Sequence, residues 1–402
     1  MPFELNKEQQ FIVDKAIEWF YNSPEQIFQY VGPPGSGKSL VLGEIIQRLG
    51  LNVETEIAPM SYIGAASLVM RRNGLLKAKT IHSWLYEYKE IPKKDKYGKY
   101  VYDDKGLIVM KKIFKARKKL DPKIKLIIID EAYCTPRNMK SQILKFGLKV
   151  IACGDPNQLP PVGDFPAFLI DGQIYRLTQI MRQVNRTDII SIAQASMRGE
   201  DIKTGSYGNS LVIEPKDLTD DMLLWADIII CGTNDTRDYF NTKIRSLKGH
   251  IGRLPEHGEK IVCRNNNWAI EAYSDDGSSM NLVNGLIGTV ANYPSINAYH
   301  PERKTFDLIF RCESAKCMFE CEANYQYINS DHKTRAHMKE YNPKYTFGEL
   351  FEYAYAITCH ISQGSQFNKV IYIEEKMFSN NQSALNLVGC TRAVESLIYV
   401  KA

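Results

Sequence analysis

Near-continuous runs of Val, Ile and Leu alternate with amphipathic stretches along much of this chain. In the first half the apolar runs fall at 24–32, 53–59, 124–130 and 147–155. Uninterrupted apolar runs are typical of parallel strands buried on both faces, and the amphipathic stretches between them of covering helices. The pattern therefore predicts an α/β unit with a parallel sheet. A second such unit is predicted from the runs at 227–234, 369–375 and the C-terminus.

Two stretches interrupt this pattern. Residues 258–346 hold short β-like runs broken by Asn, Gly, Ser and Pro, which predicts a small β-barrel-like insertion. Residues 84–120 predict a basic hairpin insertion. The predicted organisation is a first α/β unit at 1–83 and 121–178, the hairpin at 84–120, a second unit at 179–257 and 347–402, and the barrel at 258–346.

Composition narrows the class of protein only slightly. The 402 residues are 44% hydrophobic and 24% charged, as in ordinary globular chains of two or three domains. No apolar run reaches the roughly 20 residues of a membrane span, and the start MPFELNKEQQ is not of the signal-peptide type. Nine scattered cysteines fit a reducing compartment. We therefore expect a cytoplasmic protein without a membrane partner.

Charge is concentrated in the predicted hairpin. The formal net charge is +5, but residues 89–119 alone hold twelve Lys or Arg against four Asp or Glu. The same stretch carries Tyr97, Tyr100 and Tyr102. Basic residues interleaved with aromatic ones suit a phosphate backbone and stacking bases, although a solvated surface hairpin would look the same.

A phosphate-binding loop follows the first predicted strand. The P-loop pattern is matched throughout by Gly32, Pro33, Pro34, Gly35, Ser36, Gly37, Lys38 and Ser39. Its backbone N–H groups, together with that of Leu40, would surround phosphates at the positive end of a helix. Lys38 would reach the β- and γ-phosphates, and the Ser39 hydroxyl would hold Mg²⁺. ATP and Mg²⁺ are the expected cofactors.

Two further segments complete a hydrolytic site. Asp130 and Glu131 follow a buried apolar run, where Asp130 would hold Mg²⁺ and Glu131 would act as the general base. Gln158, in the turn GDPNQLPPVG, would sense the γ-phosphate. The same turn composition also suits a purely structural loop.

The order of these motifs resembles superfamily 1 helicases, and specifically the branch containing RecD and the phage helicase Dda. The segments that carry the resemblance are LNKEQ, the P-loop, Ala58-Pro59, TIHS, DEAY, GDPNQLPPV, LTQIMRQ, VNGLIGTV, YAITCHISQGSQF and CTRA. The resemblance implies two RecA-like P-loop domains and ATP-dependent translocation on single-stranded DNA, in the 5′→3′ direction, by a monomer.

The resemblance also assigns roles at the nucleotide. It implies that Gln9 reads the adenine base and that Arg182 and Arg392 point at the γ-phosphate from the second unit. A guanidinium suits that task because it is planar, permanently charged and able to bind two oxygens at once. Gln363 and Gly364 resemble the loop that links the nucleotide to the bound strand.

Nucleic-acid contacts follow from the same resemblance. Pro59, Thr80 and His82 match segments that line the strand in the first unit, and Thr358 and His360 match those in the second. Both histidines would equally suit core or capping positions. The basic insertion occupies the place of the wedge that splits the duplex, with Tyr97, Tyr100 or Tyr102 at its tip.

Three cysteines allow a different chemistry. Cys312, Cys317 and Cys321 invite a zinc site, but their spacing lacks a CxxC pair. Alternating cysteine and apolar residues in a pair of strands explains them as core, which is the interpretation we favour.

The sequence thus predicts an ATP-dependent DNA helicase of replication or recombination. Its expected partners are single-stranded and forked DNA, with a single-strand-binding protein or a replisome component as a further partner. Compactness and the resemblance suggest a phage origin, hence action in the host cytoplasm. The alternatives are a viral-type superfamily 1 RNA helicase, a translocase that displaces proteins without unwinding, and a non-catalytic protein that keeps the fold.

Overall fold

The computed structural model describes most of the chain. The described residues are 4–92, 94, 97–102, 108, 110–179, 187–273, 279–296, 304–312, 314, 316–341, 347–376 and 381–402.

Eight strands are described before residue 180: β1 (Ile27–Val31), β2 (Ile57–Ser61), β3 (Lys79–Thr80), β4 (Tyr86–Pro92), β5 (Met110–Ala116), β6 (Leu126–Asp130), β7 (Lys149–Gly154) and β8 (Ile174–Arg176). Six of them form one sheet in the order β3-β2-β6-β7-β1-β8, and every pairing in it is parallel. The helices of this part are α1 (Lys7–Asn22), α2 (Lys38–Leu49), α3 (Gly64–Arg72), α4 (Ile81–Leu85) and α5 (Arg137–Leu144).

Helices cover both faces of this first sheet, as the uninterrupted apolar runs require. Leu126 and Ile128 of β6 pack in the cluster that holds the buried faces of α1 and α2. Their neighbours Ile127 and Ile129 point to the opposite face and pack with α4 and α5. Side chains alternate between the two faces of a strand. When helices cover both faces, consecutive residues are all buried, and the sequence of the strand is an uninterrupted apolar run.

One predicted strand begins later than expected. The apolar run at 53–59 predicts a strand from Val53, but β2 starts at Ile57. The reason is that Asn52 Oδ1 accepts hydrogen bonds from the backbone N–H groups of Glu54 and Thr55, and this holds the segment in a turn.

The remaining strands are β9 (Gly205–Tyr207), β10 (Ser210–Ile213), β11 (Ile228–Cys231), β12 (Lys260–Cys263), β13 (Asn267–Tyr273), β14 (Ser279–Leu282), β15 (Ile287–Val290), β16 (Thr305–Cys312), β17 (Cys317–Asn324), β18 (Phe351–Tyr353), β19 (Ala356–Thr358), β20 (Phe367–Ile373) and β21 (Ala393–Val400). The remaining α-helices are α6 (Thr187–Met197), α7 (Asp220–Trp225), α8 (Asn234–Leu247), α9 (Tyr325–Ile328), α10 (His332–Tyr341), α11 (Cys359–Ser362) and α12 (Gln382–Thr391).

A second six-stranded sheet has the order β19-β11-β20-β21-β10-β9. Only the β9–β10 pairing is antiparallel. Its two faces again carry separate cores: Ile228 and Ile230 pack with α6 and α12, whereas Ile229 packs with α7 and α8. The second half is therefore an α/β unit of the same construction as the first.

The insertion in the second unit is a small antiparallel sheet. Its order is β17-β16-β15-β12-β18, with β13 and β14 as a separate pair. The edge strands meet, because the backbone of Glu349 exchanges hydrogen bonds with Glu322 and Asn324 of β17 just before β18 begins. The sheet is thus barrel-like, as predicted, but it includes Phe351–Tyr353, which lies beyond the predicted boundary at 346.

The basic insertion in the first unit is a hairpin. β4 pairs with β5 in antiparallel register from Tyr86 opposite Ala116 to Pro92 opposite Met110. Isolated bridges from Lys94 to Tyr100 and from Tyr102 to Ile108 lie farther along the insertion.

Single side chains of the first unit lie in the cores of the other parts. Leu159, which follows β7, is fully buried in the main core of the second unit. Leu68 of α3 is buried in the core of the barrel. Among the described residues, no helix combines the length and apolar character needed to cross a membrane.

Candidate nucleotide and nucleic-acid sites

The P-loop lies between β1 and α2, at the carboxyl end of a parallel strand that is paired on both sides, with β7 and β8. Gly35 and Gly37 have φ angles of 84° and 85°, a left-handed backbone that favours glycine. A Cβ at Gly37 would also lie 2.4 Å from the Gln9 Nε2 atom. The loop therefore ends at the N-terminus of α2, where free backbone N–H groups favour an anion.

Lys38 is the first residue of α2 and folds back over the loop. Its Nζ atom donates to the carbonyl oxygens of Gly32 at 2.8 Å and Pro33 at 3.3 Å. These acceptors hold the ammonium group directly above the loop. Ser39 and Leu40 follow on the exposed side of the helix.

Gln9 is buried against the same loop. Its Nε2 atom donates to the Ser36 carbonyl at 3.1 Å, and its Oε1 atom accepts from the Asn6 backbone as part of a helix-capping box. Both ends of the amide thus bind protein backbone. The prediction that Gln9 reads a base stays a prediction, since that role requires the amide to exchange one of these partners.

Asp130 and Glu131 stand at the end of β6. Asp130 Oδ1 accepts from the Glu131 backbone N–H at 2.9 Å. Glu131 has a φ of 51°, a left-handed conformation that costs a non-glycine residue about 1–2 kcal/mol. Burial and the neighbouring Asp130 carboxylate raise the pKa of Glu131, whereas Lys38 and Arg392 oppose that rise.

A carboxylate that the sequence analysis left without a role joins this cluster. Asp155 follows β7 and is almost fully buried. Burial raises its pKa, and the cationic groups of Lys38 and Arg392 lie close enough to act against that effect. The signal in the sequence was its place in GDPNQ, directly after a buried strand.

Among the residues that the structure describes, no hydrogen-bond partner is found for three buried polar atoms around the loop: Ser36 Oγ, Asp155 Oδ2 and Gln158 Oε1. Buried polar atoms are rarely left unpaired without a functional reason. Gln158 itself is 3% exposed, so its side chain is held inside this site. The Ser36 hydroxyl can donate to a phosphate, and the carboxylate and amide oxygens suit a metal ion or its bound water, so these atoms fit a phosphorylated ligand with its metal ion.

Arg392 reaches this cluster from the second unit. Its guanidinium donates to the carbonyl oxygens of Val388 at 3.1 Å and Ser365 at 3.3 Å. Glu131 and Asp155 of the first unit are among the charges that act on its pKa, which burial lowers. The acidic end of the first sheet and one arginine of the second unit thus face each other.

Arg182 lies outside the described residues, so its position stays a prediction. The segment just before it is anchored to α1. Glu8 accepts hydrogen bonds from the backbone N–H groups of Thr178 at 2.8 Å and Gln179 at 3.3 Å.

The residues of the first unit that are predicted to contact a nucleic-acid strand differ in how far they are exposed. Pro59 is buried within β2, and its carbonyl accepts from Trp84 Nε1 at 2.8 Å. Thr80 is 6% exposed and caps α4 by accepting from the Ser83 backbone. Both residues have these contacts within the first unit, and their predicted roles at a bound strand stay predictions.

His82 is partly exposed and belongs to a row of rings that the sequence analysis did not identify. Its ring lies 5.7 Å from that of Tyr62 and 6.3 Å from that of Tyr86, the first residue of the hairpin. Burial lowers the pKa of His82, which favours a neutral ring. The row Tyr62–His82–Tyr86 therefore offers aromatic faces rather than charge.

In the second unit, Thr358 is 7% exposed at the end of β19, and His360 is partly exposed on α11. Burial lowers the pKa of His360 as well. On the hairpin, Tyr97, Tyr100 and Tyr102 are all exposed, and Lys94 Nζ lies 5.1 Å from the ring centre of Tyr100.

Cys312 and Cys317 are opposite residues of the β16–β17 pair and are buried in the barrel core, and Cys321 lies on the same strand as Cys317. Within the described ranges, no group of three or more His, Cys, Asp or Glu side chains is arranged to hold a metal ion.

A P-loop at the end of a parallel sheet, an acidic pair after a neighbouring strand and an arginine from a second such unit define a two-unit P-loop nucleotide-binding protein. Residues 4–212, just over half of the chain, match the family model described as an AAA domain. The chain belongs to that family.

Solved structures share the whole architecture. A structure that describes DNA unwinding at forked double-stranded DNA by two coordinating Pif1 helicases has a TM-score of 0.56 and 18% identity, covering 99% of this chain and 92% of that one. Pif1 helicase from Candida albicans gives 0.54 and 16%, with 99% and 94% coverage. Bacteroides Pif1 in complex with ADP-AlF3 and ssDNA gives 0.54 and 16%, with 99% and 92% coverage. These likenesses confirm the predicted fold class of two RecA-like units with parallel sheets.

Among curated proteins, the uncharacterized protein R530 of Acanthamoeba polyphaga mimivirus is 26% identical over 207 residues. The match covers 46% of this chain and 40% of that protein, so the chain spans less than half of its relative.

Proposed function

We propose that this chain is an ATP-dependent helicase of the RecD/Dda-like branch of superfamily 1, which moves 5′→3′ along single-stranded DNA and unwinds duplex ahead of it. The observation that carries the proposal is the contact between the two units beside the P-loop: Gln363 of the second unit donates to the carbonyl of Leu159, the residue after Gln158. Arg392 of the second unit lies close enough to Glu131 and Asp155 for their charges to act on its pKa. ATP hydrolysis at such a junction is sensitive to the distance between the units.

The nucleotide site fits ATP with Mg²⁺. Lys38 would bind the phosphates, and Ser39 with Asp130 would hold the metal, which would neutralise charge on the phosphate oxygens. The unpaired atoms Ser36 Oγ, Asp155 Oδ2 and Gln158 Oε1 supply further polar groups at the same place.

Glu131 is suited to accept a proton from an attacking water, because burial raises its pKa and makes the carboxylate a stronger base. Arg392, and by resemblance Arg182, would stabilise negative charge that develops on the γ-phosphate. Binding of ATP with its γ-phosphate would close the cleft between the units. Loss of the γ-phosphate after hydrolysis would open it.

The path of the strand is proposed along the row Tyr62–His82–Tyr86 in the first unit and past Thr358 and His360 in the second. Neutral aromatic faces bind bases of any sequence by stacking. The row ends at the hairpin, whose basic residues and exposed tyrosines support the role of a wedge. The Bacteroides and forked-DNA structures describe Pif1 proteins with single-stranded and forked DNA, which supports DNA as the substrate here.

The domain limits predicted above are proposed with one change, the inclusion of Phe351–Tyr353 in the barrel. We also propose action as a monomer in the cytoplasm, next to a single-strand-binding protein or a replisome component.

The test is unwinding of forked duplexes that carry either a 5′ or a 3′ single-stranded loading arm, with Lys38→Ala as the inactive control. We expect ATP-dependent unwinding from the 5′ arm. Unwinding from the 3′ arm alone would reverse the polarity. Failure on both forks, with hydrolysis still stimulated by single strands, would leave a translocase that displaces proteins.

A parallel measurement separates DNA from RNA. Oligonucleotides of the same sequence, as single-stranded DNA and RNA, are compared for stimulation of ATP hydrolysis. DNA should stimulate more strongly; a strict requirement for RNA would assign the chain to the RNA helicases.

A further inference from the structure

A buried thiol lies where the two α/β units touch. Cys134 is the last residue of a 3₁₀ turn, Ala132–Cys134, that begins directly after Glu131. Its backbone N–H donates to the Glu131 carbonyl at 3.1 Å. Any displacement of Cys134 therefore acts on the backbone of the residue proposed as the general base.

The Cys134 side chain belongs to a three-membered hydrogen-bond cluster. Its Sγ atom donates to the Leu159 carbonyl at 3.3 Å. Gln363 of the second unit donates through Nε2 to Cys134 Sγ and to the Leu159 carbonyl, both at 3.4 Å. All three residues are buried, with exposed fractions of 3% for Cys134, 0% for Leu159 and 5% for Gln363.

Leu159 links this cluster both to the P-loop site and to the core of the second unit. It directly follows Gln158, the proposed γ-phosphate sensor, and its side chain is buried in the core of the second unit. One amide of the second unit thus contacts both segments that carry hydrolytic residues of the first: the turn after Glu131 and the loop after Gln158.

The loop that carries Gln363 makes two other contacts. The carbonyl of Ser365 accepts from Arg392 Nη1 at 3.3 Å. The Cα of Gly364 lies so close to α3 that a Cβ there would be 2.7 Å from the Ala66 backbone nitrogen. Residues 363–365 therefore touch Arg392, the Glu131 turn and α3, which follows the strand that leads to Tyr62.

We infer that Cys134 is a positioning residue, through which movement of the 363–365 loop adjusts Glu131 and Gln158 when a single strand binds. The inference rests on the proposed function. The thiol acts as a neutral hydrogen-bond donor and acceptor, since burial raises its pKa well above the ordinary range. A buried thiol of this kind is a poor nucleophile, so no covalent step is involved.

The test compares kcat and KM for ATP, with and without saturating oligothymidylate, in wild type, Cys134→Ala, Cys134→Ser and Gln363→Ala. Cys134→Ala should reduce the stimulated kcat about five- to tenfold, as expected for loss of hydrogen bonds at a buried junction. The unstimulated kcat should fall less, and KM for ATP should change little. Cys134→Ser keeps a donor and an acceptor and should recover part of the stimulation.

Cys263→Ala, which removes a buried thiol from the barrel, is the matched control, and thermal unfolding of each variant checks folding. The double variant Cys134→Ala/Gln363→Ala should be no worse than either single variant, because both act through one cluster. Effects that multiply, or a loss of stimulation in Cys263→Ala as large as in Cys134→Ala, would overturn the inference.

The two proposals fail differently. A wild type whose hydrolysis no single strand stimulates removes the proposed function and this inference together. A stimulated wild type whose stimulation survives in Cys134→Ala removes the inference alone.

Discussion

Arg237 Nη1 lies 2.9 Å from Glu352 Oε2, and this ion pair joins α8 of the second unit to β18 of the barrel. Both side chains are buried, at 2% and 3% exposure. Arg264 and Arg335 lie 3.2 and 3.9 Å from the same carboxylate, and the Tyr327 hydroxyl donates to it at 3.0 Å. The barrel is therefore attached to the second unit by a buried polar cluster in which one carboxylate interacts with three arginines and a tyrosine hydroxyl.

Replacement of Glu352 by Gln should destabilise the protein. The change removes the buried carboxylate that pairs with Arg237 and leaves that guanidinium with Asp238, 2.8 Å away, as its remaining counter-charge. Loss of a buried hydrogen bond to a charged group costs about 1.5–3 kcal/mol in the free energy of unfolding. Urea denaturation would measure the loss. Glu320→Gln, an exposed position on β17, is the control and should stay within about 0.5 kcal/mol of wild type. Equal effects of the two changes would contradict the proposed importance of the cluster.

The same carboxylate predicts a dependence of stability on pH. Burial by itself would raise the pKa of Glu352, but Arg264, Arg237 and Arg335 outweigh burial and hold the pKa below its ordinary value of 4.5. A carboxylate whose pKa is lower in the folded state stabilises the fold above its unfolded pKa. This stabilisation should decrease as the pH falls below about 4.5 and be lost through the lower, folded pKa. Glu352→Gln should lack that portion of the acid sensitivity when unfolding is followed across this range.

The row of rings in the first unit predicts a base-stacking surface. Tyr62→Leu should weaken binding of single-stranded DNA by about 1–3 kcal/mol, the usual value for one stacked base. Fluorescence anisotropy with a labelled oligonucleotide would measure it, and unstimulated ATP hydrolysis should persist. Tyr239→Leu, an exposed tyrosine on α8, is the control. Unchanged affinity in Tyr62→Leu would remove this surface from the proposed strand path.

Arg392 should not be replaceable by lysine. Lysine keeps one positive charge but loses the planar guanidinium that donates to the carbonyl oxygens of Val388 and Ser365 at the same time. Because an arginine at the γ-phosphate accelerates hydrolysis by about 10³-fold or more, Arg392→Lys should lower the stimulated kcat on that order. Arg198→Lys, at an exposed site of the second unit, should be unaffected. An active Arg392→Lys enzyme would assign this arginine a structural role only.

Gly364 and Gly249 offer a matched pair, since their φ angles are 77° and 78°. Alanine at Gly249 meets open space and should cost only the left-handed backbone, about 1–2 kcal/mol. Alanine at Gly364 has the same backbone cost and additionally collides with the Ala66 backbone. Stimulated hydrolysis should therefore be impaired in Gly364→Ala and preserved in Gly249→Ala. Similar rates in both would show that the close contact with α3 is dispensable.

Local pattern was enough to locate the segments proposed to act in hydrolysis, because each follows a buried strand in the chain. The runs ending at Val31, Asp130 and Gly154 are read directly from the sequence, and parallel strands bring their carboxyl ends to one edge. The same reasoning did not reveal that Pro59 and Thr80 are buried or that Asp155 belongs to the site. Those depend on which neighbouring side chains fill the space around them.

The sequence by itself determined the α/β class, the phosphate loop, the acidic pair and the existence of the barrel and hairpin, because periodicity and turn chemistry are local properties. Tertiary structure alone decided the cross-unit relationships: Gln363 on Cys134, Leu159 in the core of the second unit, and Glu352 among three arginines. The members of each group are separated by tens to hundreds of residues. Their meeting results from the packing of whole sheets, which no local pattern specifies.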